Sequence, residues 1–553
     1  MMKRQATRYG GGKDILQEGA GLTGPSSVGQ GRAGQGYTQD SFARMPDMNL
    51  RSFTLYDLIA RNDRLYGNRI AFMEDHHRIT HAQFAQRSAR LAAGLAALGL
   101  GGGDRIAVLA GNSLAYVDIF GAAAKLGALV VPINIRLSPE EIAHILADVS
   151  PTILVAAPDL RALLPASLKG IRCLSMGSAD TGWPSLETAY SDAPSGDPAA
   201  SAQSSVVDTD GLVIIHTAAV GGKARGAVLT HRGLLSASAS ALLSWRLQPD
   251  DVNMGVLPLY HVAGLGLLLA AQHAGAASVI MPRFDADALA RSIDQEQGSI
   301  VATFAPMLAS LIDAAAKCGS SLQSLRIVTG LEAPDTVTRL HSAHPGAQFF
   351  SIYGQTETSG MVTMSAFDER PGSAGRPSPL NTVVVLDDED RVLPTGQTGE
   401  IAVRGPMVFE GYWGLPDDSA HTLRKGWHHT GDMGRFDEQG YLWYQGRSPA
   451  KELIKPGGEN VYPAEVERTL CEHPAVAAAV VFGVPDPHWG EAVSAVCELK
   501  IGQTVSAEAL SAFVAERIAR YKRPKHVQFV AQLAKTANGS IDRAAVKKQF
   551  GAS

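Results

Sequence analysis

The stretch SPEEIAHILADVSPTILVAA, residues 138–157, carries a helix signal followed by a strand signal. Ser138 is a preferred N-cap, Pro139 suits the first helical position, and Glu141 at N3 completes a capping box. The run PTILVAA then reads as a strand. Upstream the same order recurs. Residues 82–99 place Phe84, Ser88, Leu91, Leu95 and Leu98 on one helical face, with Gly99 to end the helix. GDRIAVLAGN and GALVVPI read as further short strands. Helical and strand patterns alternate up to about residue 330, which predicts an α/β architecture with largely parallel sheets.

The chain has 553 residues, enough for two or more domains. A net charge of −5 gives no electrostatic reason to expect a nucleic-acid partner. The four cysteines are far apart and have no metal-ligand spacing, which fits a reducing, cytoplasmic location. No secretory signal is visible, because no apolar core follows the basic residues at the N-terminus. Residues 1–44 are rich in Gly, Gln and Ser and read as disordered. The fold is expected to begin near Met45 or Met48, which leaves 1–47 as an extension and an alternative start open. From Val252 to Pro282 there is no Asp, Glu, Lys or Arg. Pro258, several glycines, Gln272 and His273 argue against a membrane span there and for a buried helix followed by a core strand.

The texture changes along the second half. SDAPSGDPAASAQSS, 191–205, reads as a surface linker. From 382, VVVL, EIAVRG and YLWYQGR are separated by turn residues, which predicts a small antiparallel β unit. After Gly446 the order is helix, strand, strand, helix, strand, a compact α+β domain of about 100 residues. Pro456-Gly457-Gly458 lies near its start, where a joint could sit.

Three constellations carry chemistry. HTAAVGGKARGAVLTH, 216–231, is a Gly-rich turn with two cations, Lys223 and Arg225. It is not the common NTPase loop: Thr217 and Ala224 stand where that motif has Gly and Ser or Thr. SIYGQTETSG, 351–360, delivers Tyr353 as a flat face for stacking and Glu357 as a hard oxygen ligand for magnesium. In WHHTGDMGRFDEQGYLWYQGR, 427–447, Asp432 can accept from two ribose hydroxyls and Arg447 can reach an anion. The adjacent His428 and His429 diverge in extended backbone, which makes a metal site there improbable.

Together with LPLYHVAG (257–264), TGLEAP (329–334), GSAGRP (372–377), GEIAVRGPMVFEGYW (399–413) and IKPGGENVYPAEVE (454–467), these residues resemble the adenylate-forming superfamily over roughly 50–545. GGENVYPAEVE is most similar to the acyl-CoA synthetase branch. The resemblance implies a large N-terminal domain, 48–449, of αβα-layered sheets plus a small β unit. A hinge at 450–452 and a mobile small α+β domain, 453–553, follow. It implies an acid–thiol ligase that joins a carboxylic acid to ATP as an acyl-adenylate, then to CoA, with Mg2+. Thr217, Gly222, Lys223 and Arg225 would form the phosphate loop. Gly330, Leu331, Glu332, Tyr353 and Gly354 would surround adenine. Thr356 would touch the α-phosphate and Glu357 the magnesium, while Asp432, beside Arg447, would hold the ribose. His261 would stand at the acyl-pocket mouth. Lys455, Gly457 and Gly458 would line the CoA path, with Gly458 passing the pantetheine arm without a Cβ clash.

The chain departs from that pattern at three places. Ala218, Val220 and Gly221 replace the loop's Ser, Thr and Thr, and Arg225 replaces its later Lys. Ser540, in KTANGSIDR, stands where the family has its adenylating lysine. Losing such a charge-stabilising donor typically costs about 10²–10³ in rate. GRSPAKELIK has two more residues than usual between Arg447 and Lys455, which leaves Lys451 or Glu452 as the hinge residue. Three readings follow: a working ligase in which Arg225, Lys535, Lys547 or Lys548 substitutes, an enzyme of the thioester step alone, or a non-catalytic binder of nucleotide or acyl-CoA. Val262, Ala263, Leu265, Phe304, Ala305, Leu331 and Met361 are the expected pocket walls, which favour a fatty or aromatic acid. Peripheral contact with a lipid surface and the oligomeric state stay open.

Overall fold

In the computed structural model, residues 52–179, 182–191, 206–217, 223–447, 453–536 and 541–551 are described. The 1–47 extension, nearly all of the 191–205 linker and the 450–452 hinge, with Lys451 and Glu452, lie outside them.

The capping box forms as its sequence requires. Glu141 N donates to Ser138 Oγ and Ser138 N to the Glu141 carboxylate, opening the helix Pro139–Val149. That helix ends one residue before the turn into the strand Ile153–Ala156, which is buried throughout. The helix His81–Ala97 buries Phe84, Ser88, Leu91 and Leu95, the face its period predicts.

Among the described residues the alternation builds two large sheets. One has seven strands, and its parallel part runs from Gly211–Thr217 through Leu129–Pro132, Arg105–Leu109 and Ile153–Ala156 to Arg172–Ser175. The other has nine strands, with Val252–Gly255, Ile300–Phe304, Ile327–Leu331 and Gln348–Tyr353 parallel and in order. Helices pack on both sheets. The charge-free segment 252–282 becomes the strand Val252–Gly255, the buried helix Val262–Ala274 and the core strand Ala277–Ile280. No helix among the described residues is long and apolar enough to cross a membrane.

The β unit is a five-stranded antiparallel sheet centred on Gly399–Arg404 and Trp427–Phe436. The small domain pairs Val476–Asp486 with Gly490–Leu499 antiparallel, and the latter with His526–Val530 parallel. Its own core holds Ile454, Val466, Leu470, Val481 and Val514. The protein is thus mixed α/β with a large N-terminal and a smaller C-terminal domain.

Candidate active site

Parallel strands end together, and their C-terminal ends are where open α/β sheets gather ligand-binding residues. In the nine-stranded sheet Phe304 pairs with Leu331 and Gly330 with Ser351. The register therefore brings Phe304, Glu332 and Tyr353 to one edge. Two glycines make this edge possible. A Cβ on Gly330, at φ +134°, would lie 1.8 Å from the Thr303 carbonyl oxygen, and one on Gly354 would lie 1.5 Å from that of Gly360. Glu332 accepts from Leu308 N at 3.2 Å, at the start of the helix Met307–Cys318. Burial pushes its carboxyl up to about 7, against the Thr303 hydroxyl and the Leu308 amide. Leu331 is exposed at the strand end.

Glu357 sits in the single 3₁₀ turn Thr356–Thr358 that follows Tyr353. Its Oε1 accepts from Thr217 Oγ1 at 3.1 Å, which ties it to the end of the other large sheet, and from the Tyr412 hydroxyl at 2.9 Å. Burial would raise this carboxyl, but His428 and the Tyr412 hydroxyl among others outweigh it and leave it below its ordinary value. Arg225 stacks 4.0 Å from the centre of the Tyr412 ring and donates to its hydroxyl at 3.2 Å. It also lies 3.6 Å from Asp418. A permanent carboxylate with hydroxyl partners suits a hard cation such as magnesium, which takes one or two carboxylates and completes its shell with phosphate and water. Among the described residues no cluster of three or more His, Cys, Asp or Glu could hold a metal alone.

Asp432 lies on the long strand Trp427–Phe436 and is buried. Tyr353 donates its hydroxyl to Oδ2 at 2.8 Å, and Gln355 donates Nε2 to the same oxygen at 2.5 Å. Arg447 Nε lies 2.9 Å from Oδ1, and Tyr444 donates to it at 3.4 Å. Oδ2 of the expected ribose acceptor is therefore bonded by two protein donors, while Oδ1 faces the Arg447 guanidinium as an ion pair. Tyr353, expected as an adenine platform, has its ring 5.9 Å from that of Tyr444 at a 37° tilt. Arg447 also donates to the Tyr462 hydroxyl at 3.1 Å, linking the β unit to the small domain.

From the small domain, the turn Pro456–Gly458 faces this edge. Gly458 has φ +84°, the left-handed region, and a Cβ there would meet Phe304 at an ordinary 3.6 Å. Within the protein, backbone conformation rather than a Cβ clash is what calls for glycine. Lys455 donates its backbone N–H to Glu491 at 2.7 Å. Its side chain is reachable by solvent yet walled by protein on most sides, and that desolvation lowers its ammonium against the pull of Asp432. Gly457 donates its N–H to the Trp489 carbonyl. His261, at the N-cap of Val262–Ala274, lies 3.7 Å from Glu459. Burial would raise the Glu459 carboxyl, but His261 and Arg136 bring it down to about 2.

Several sequence expectations fall elsewhere. Gly222 and Ser540 lie outside the described residues, as do Ala218, Val220 and Gly221. Lys223 is exposed just after that gap. Lys547 and Lys548 lie on the last helix, Arg543–Phe550, whose Val546 packs into the small domain. Of the proposed wall, Ala263, Phe304 and Met361 share one apolar cluster, while Leu265 is packed in the larger core beside it. His428 turns to Gln355 and His429 to Glu400, so the pair diverges as extended backbone requires. Tyr412, Gln355, Tyr444 and Tyr462 had no role in the sequence reading. All four lie inside the quoted segments, but an amide or an aromatic in a strand or turn is ordinary structural material until its polar atom is seen to bond.

A family model for the AMP-binding enzyme matches residues 59–413, and one for the AMP-binding enzyme C-terminal domain matches 465–540. The chain belongs to the AMP-binding enzyme family. Within this family it falls in the acyl-CoA synthetase branch. Feruloyl-CoA synthase of Amycolatopsis sp. is 34% identical over 484 residues, 86% of this chain and 94% of that protein. Indoleacetate–CoA ligase of Aromatoleum aromaticum is 35% identical over 507 residues, 89% and 98% of the two chains. The structure of a double mutant of o-succinylbenzoate CoA synthetase from Bacillus subtilis aligns with a TM-score of 0.76 at 27% identity, covering 89% of this chain and 98% of that one. This AMP-binding enzyme is an acid–thiol ligase by membership of that branch.

Proposed function

We propose that the protein activates an aromatic monocarboxylic acid as its acyl-adenylate and passes the acyl group to CoA. One observation carries the reading. The Glu357–Tyr412–Arg225 chain and the Asp432–Tyr353–Arg447 chain converge where the small domain brings Gly458 against Phe304. In the first step a carboxylate oxygen bonds to the α-phosphorus of ATP, and the bond to pyrophosphate breaks. In the second the CoA sulfur bonds to the acyl carbon, AMP leaves, and the thiol proton goes to solvent. Asp432 would exchange Tyr353 and Gln355 for ribose hydroxyls. Glu357 would hold magnesium, which when bound neutralises phosphate charge. Among the described residues, Arg225, one hydroxyl away from Glu357, Arg447 and Lys455 are cations of the site that would act in place of a lysine at 540. The apolar cluster of Ala263, Phe304 and Met361 supports an aryl or alkyl tail, at about 25 cal/mol per Å² buried. Relatives named for ferulate and indoleacetate favour the aryl acid.

Pyrophosphate release with ATP and magnesium tests this across ferulate, indole-3-acetate, 2-succinylbenzoate and a fatty-acid series. Ferulate or indole-3-acetate should lead, and the dicarboxylate should trail. No release with any acid, while ATP still binds, would remove the first step. A second reading, thioester formation without adenylation, is supported by Ser540 together with the Gly458 turn at Phe304. It predicts that synthetic acyl-adenylate plus CoA gives thioester when ATP plus acid does not.

A further inference from the structure

The capping box at Ser138 and Glu141 satisfies its own helix, and both side chains also reach the small domain. Ser138 Oγ donates to the Arg517 carbonyl at 3.2 Å. Ala519, 378 residues from Glu141, donates its N–H to Glu141 Oε2 at 3.0 Å. The Lys522 ammonium bonds to Glu141 Oε1 and, at 2.9 Å, to Glu465 Oε1 of its own domain. The Lys522 side chain is only 4% exposed. Burial alone would lower its ammonium, but Glu465 and Glu141 outweigh that and keep it charged.

A second contact lies a few residues upstream of the box. Asn134 Nδ2 donates to Glu459 Oε2 at 3.2 Å, and Arg136 donates to Oε1 at 3.0 Å. Glu459 directly follows Gly458. The segment 134–141 therefore grips the small domain at two points: beside the site, and at Lys522. The helix does not need a charge at 141, because glutamine serves a capping box as well as glutamate. A buried lysine does need it, since a desolvated ammonium without its carboxylate is costly.

We propose that Glu141 and Lys522 are positioning residues for the thioester step, with the capping box serving as the dock that holds the Gly458 turn at the site. This rests on the reading of the preceding subsection only for the name of the step, not for the docking. In any arrangement that withdraws the small domain, Lys522 keeps Glu465 and Glu141 keeps its cap, so both parts stay folded. The dock is thus reversible without unfolding either element.

Cys318 of the large domain and Cys471 of the small one are exposed, whereas Cys497 is buried. Spin labels on this pair in the full chain, with Cys173→Ser, report the docking as a pulsed-EPR distance without any substrate. The unsubstituted dock should give a narrow distance population that Glu141→Lys removes and Glu141→Gln only broadens. With feruloyl-adenylate and CoA, Glu141→Lys should slow thioester formation roughly 10- to 100-fold, while pyrophosphate release without CoA holds. A distance distribution that Glu141→Lys leaves unchanged overturns the dock, whatever the activities. Should no adenylate be turned over by the unsubstituted protein, the catalytic reading fails, and the label distance still judges the dock.

Discussion

Asp118 and Asp432 are each held by one arginine and by tyrosine hydroxyls, deep in the large domain. Asp118 accepts from Arg87 at 2.9 and 2.6 Å and from the Tyr190 hydroxyl at 2.8 Å. Asp432 has Arg447 at 2.9 Å and Tyr353 at 2.8 Å. Both are buried. The partners of Asp118 come from helices packed around it, on the core side of Leu114–Leu126. Burial pushes its carboxyl up to about 6 despite Arg87 and Tyr190. The partners of Asp432 come from separate segments that meet at strand ends, and Arg447 among them also bonds to Tyr462 of the small domain. On the proposed function, only the second cluster trades its donors for those of a ligand. Two clusters of like composition would then differ in role by their place in the fold.

The sharpest way to break that comparison is to neutralise each aspartate in turn. Asp432→Asn should lower pyrophosphate release by about 10² or more, the usual cost of removing one preorganised charged contact. Some stability should go with it, because Arg447, with 14% of its side chain exposed, loses its carboxylate, so turnover is read where the variant is still folded. Asp118→Asn should cost stability alone. Removing one partner of a buried pair is costly, but Arg87 keeps about a third of its side chain in solvent and can relax toward water. A stability loss of about 2 kcal/mol with unchanged turnover is expected, read by denaturant unfolding and a steady-state assay. If Asp118→Asn loses activity at full stability, or Asp432→Asn loses stability at full activity, the two clusters have been assigned the wrong way round.

What the sequence disclosed follows from the range of each interaction. The cap at Ser138 and Glu141 is a matter of three residues, and the face of His81–Ala97 follows from helical period. The turn bearing Glu357 and the strand segment bearing Asp432 stand out because their residue types are unusual for a turn or strand interior. Side-chain partnerships across the fold leave no such trace. Tyr412 bonds to a glutamate 55 residues away, and Ala519 to one 378 residues away. Asp118 sits in LAYVDIFGAAAKL, where an acid in an apolar helix announces neither Arg87 nor Tyr190. The occupancy of Asp432 by Tyr353, Gln355 and Arg447 is likewise a fact of tertiary packing, invisible in the segment Thr430-Gly431-Asp432 itself.

Glu332 stands between the two aspartates in character, and a smaller effect should sharpen the contrast. It caps the helix Met307–Cys318 as a structural acid would, yet it lies at the strand edge that the site occupies. Its carboxyl is raised from an ordinary value near 4.5 to about 7. A raised folded value means that the folded state binds the proton more tightly than the unfolded chain. The stability this contributes is fully present below pH about 4.5 and is lost as pH rises to about 7. Glu332→Gln keeps an oxygen to accept from Leu308 N but has no proton to lose. The difference in melting temperature between variant and parent should therefore grow in the variant's favour across that window and level off above it. A difference that stays flat with pH would mean that the carboxylate is already ionised in the fold, which would make Glu332 a charged group at the strand edge rather than a neutral one.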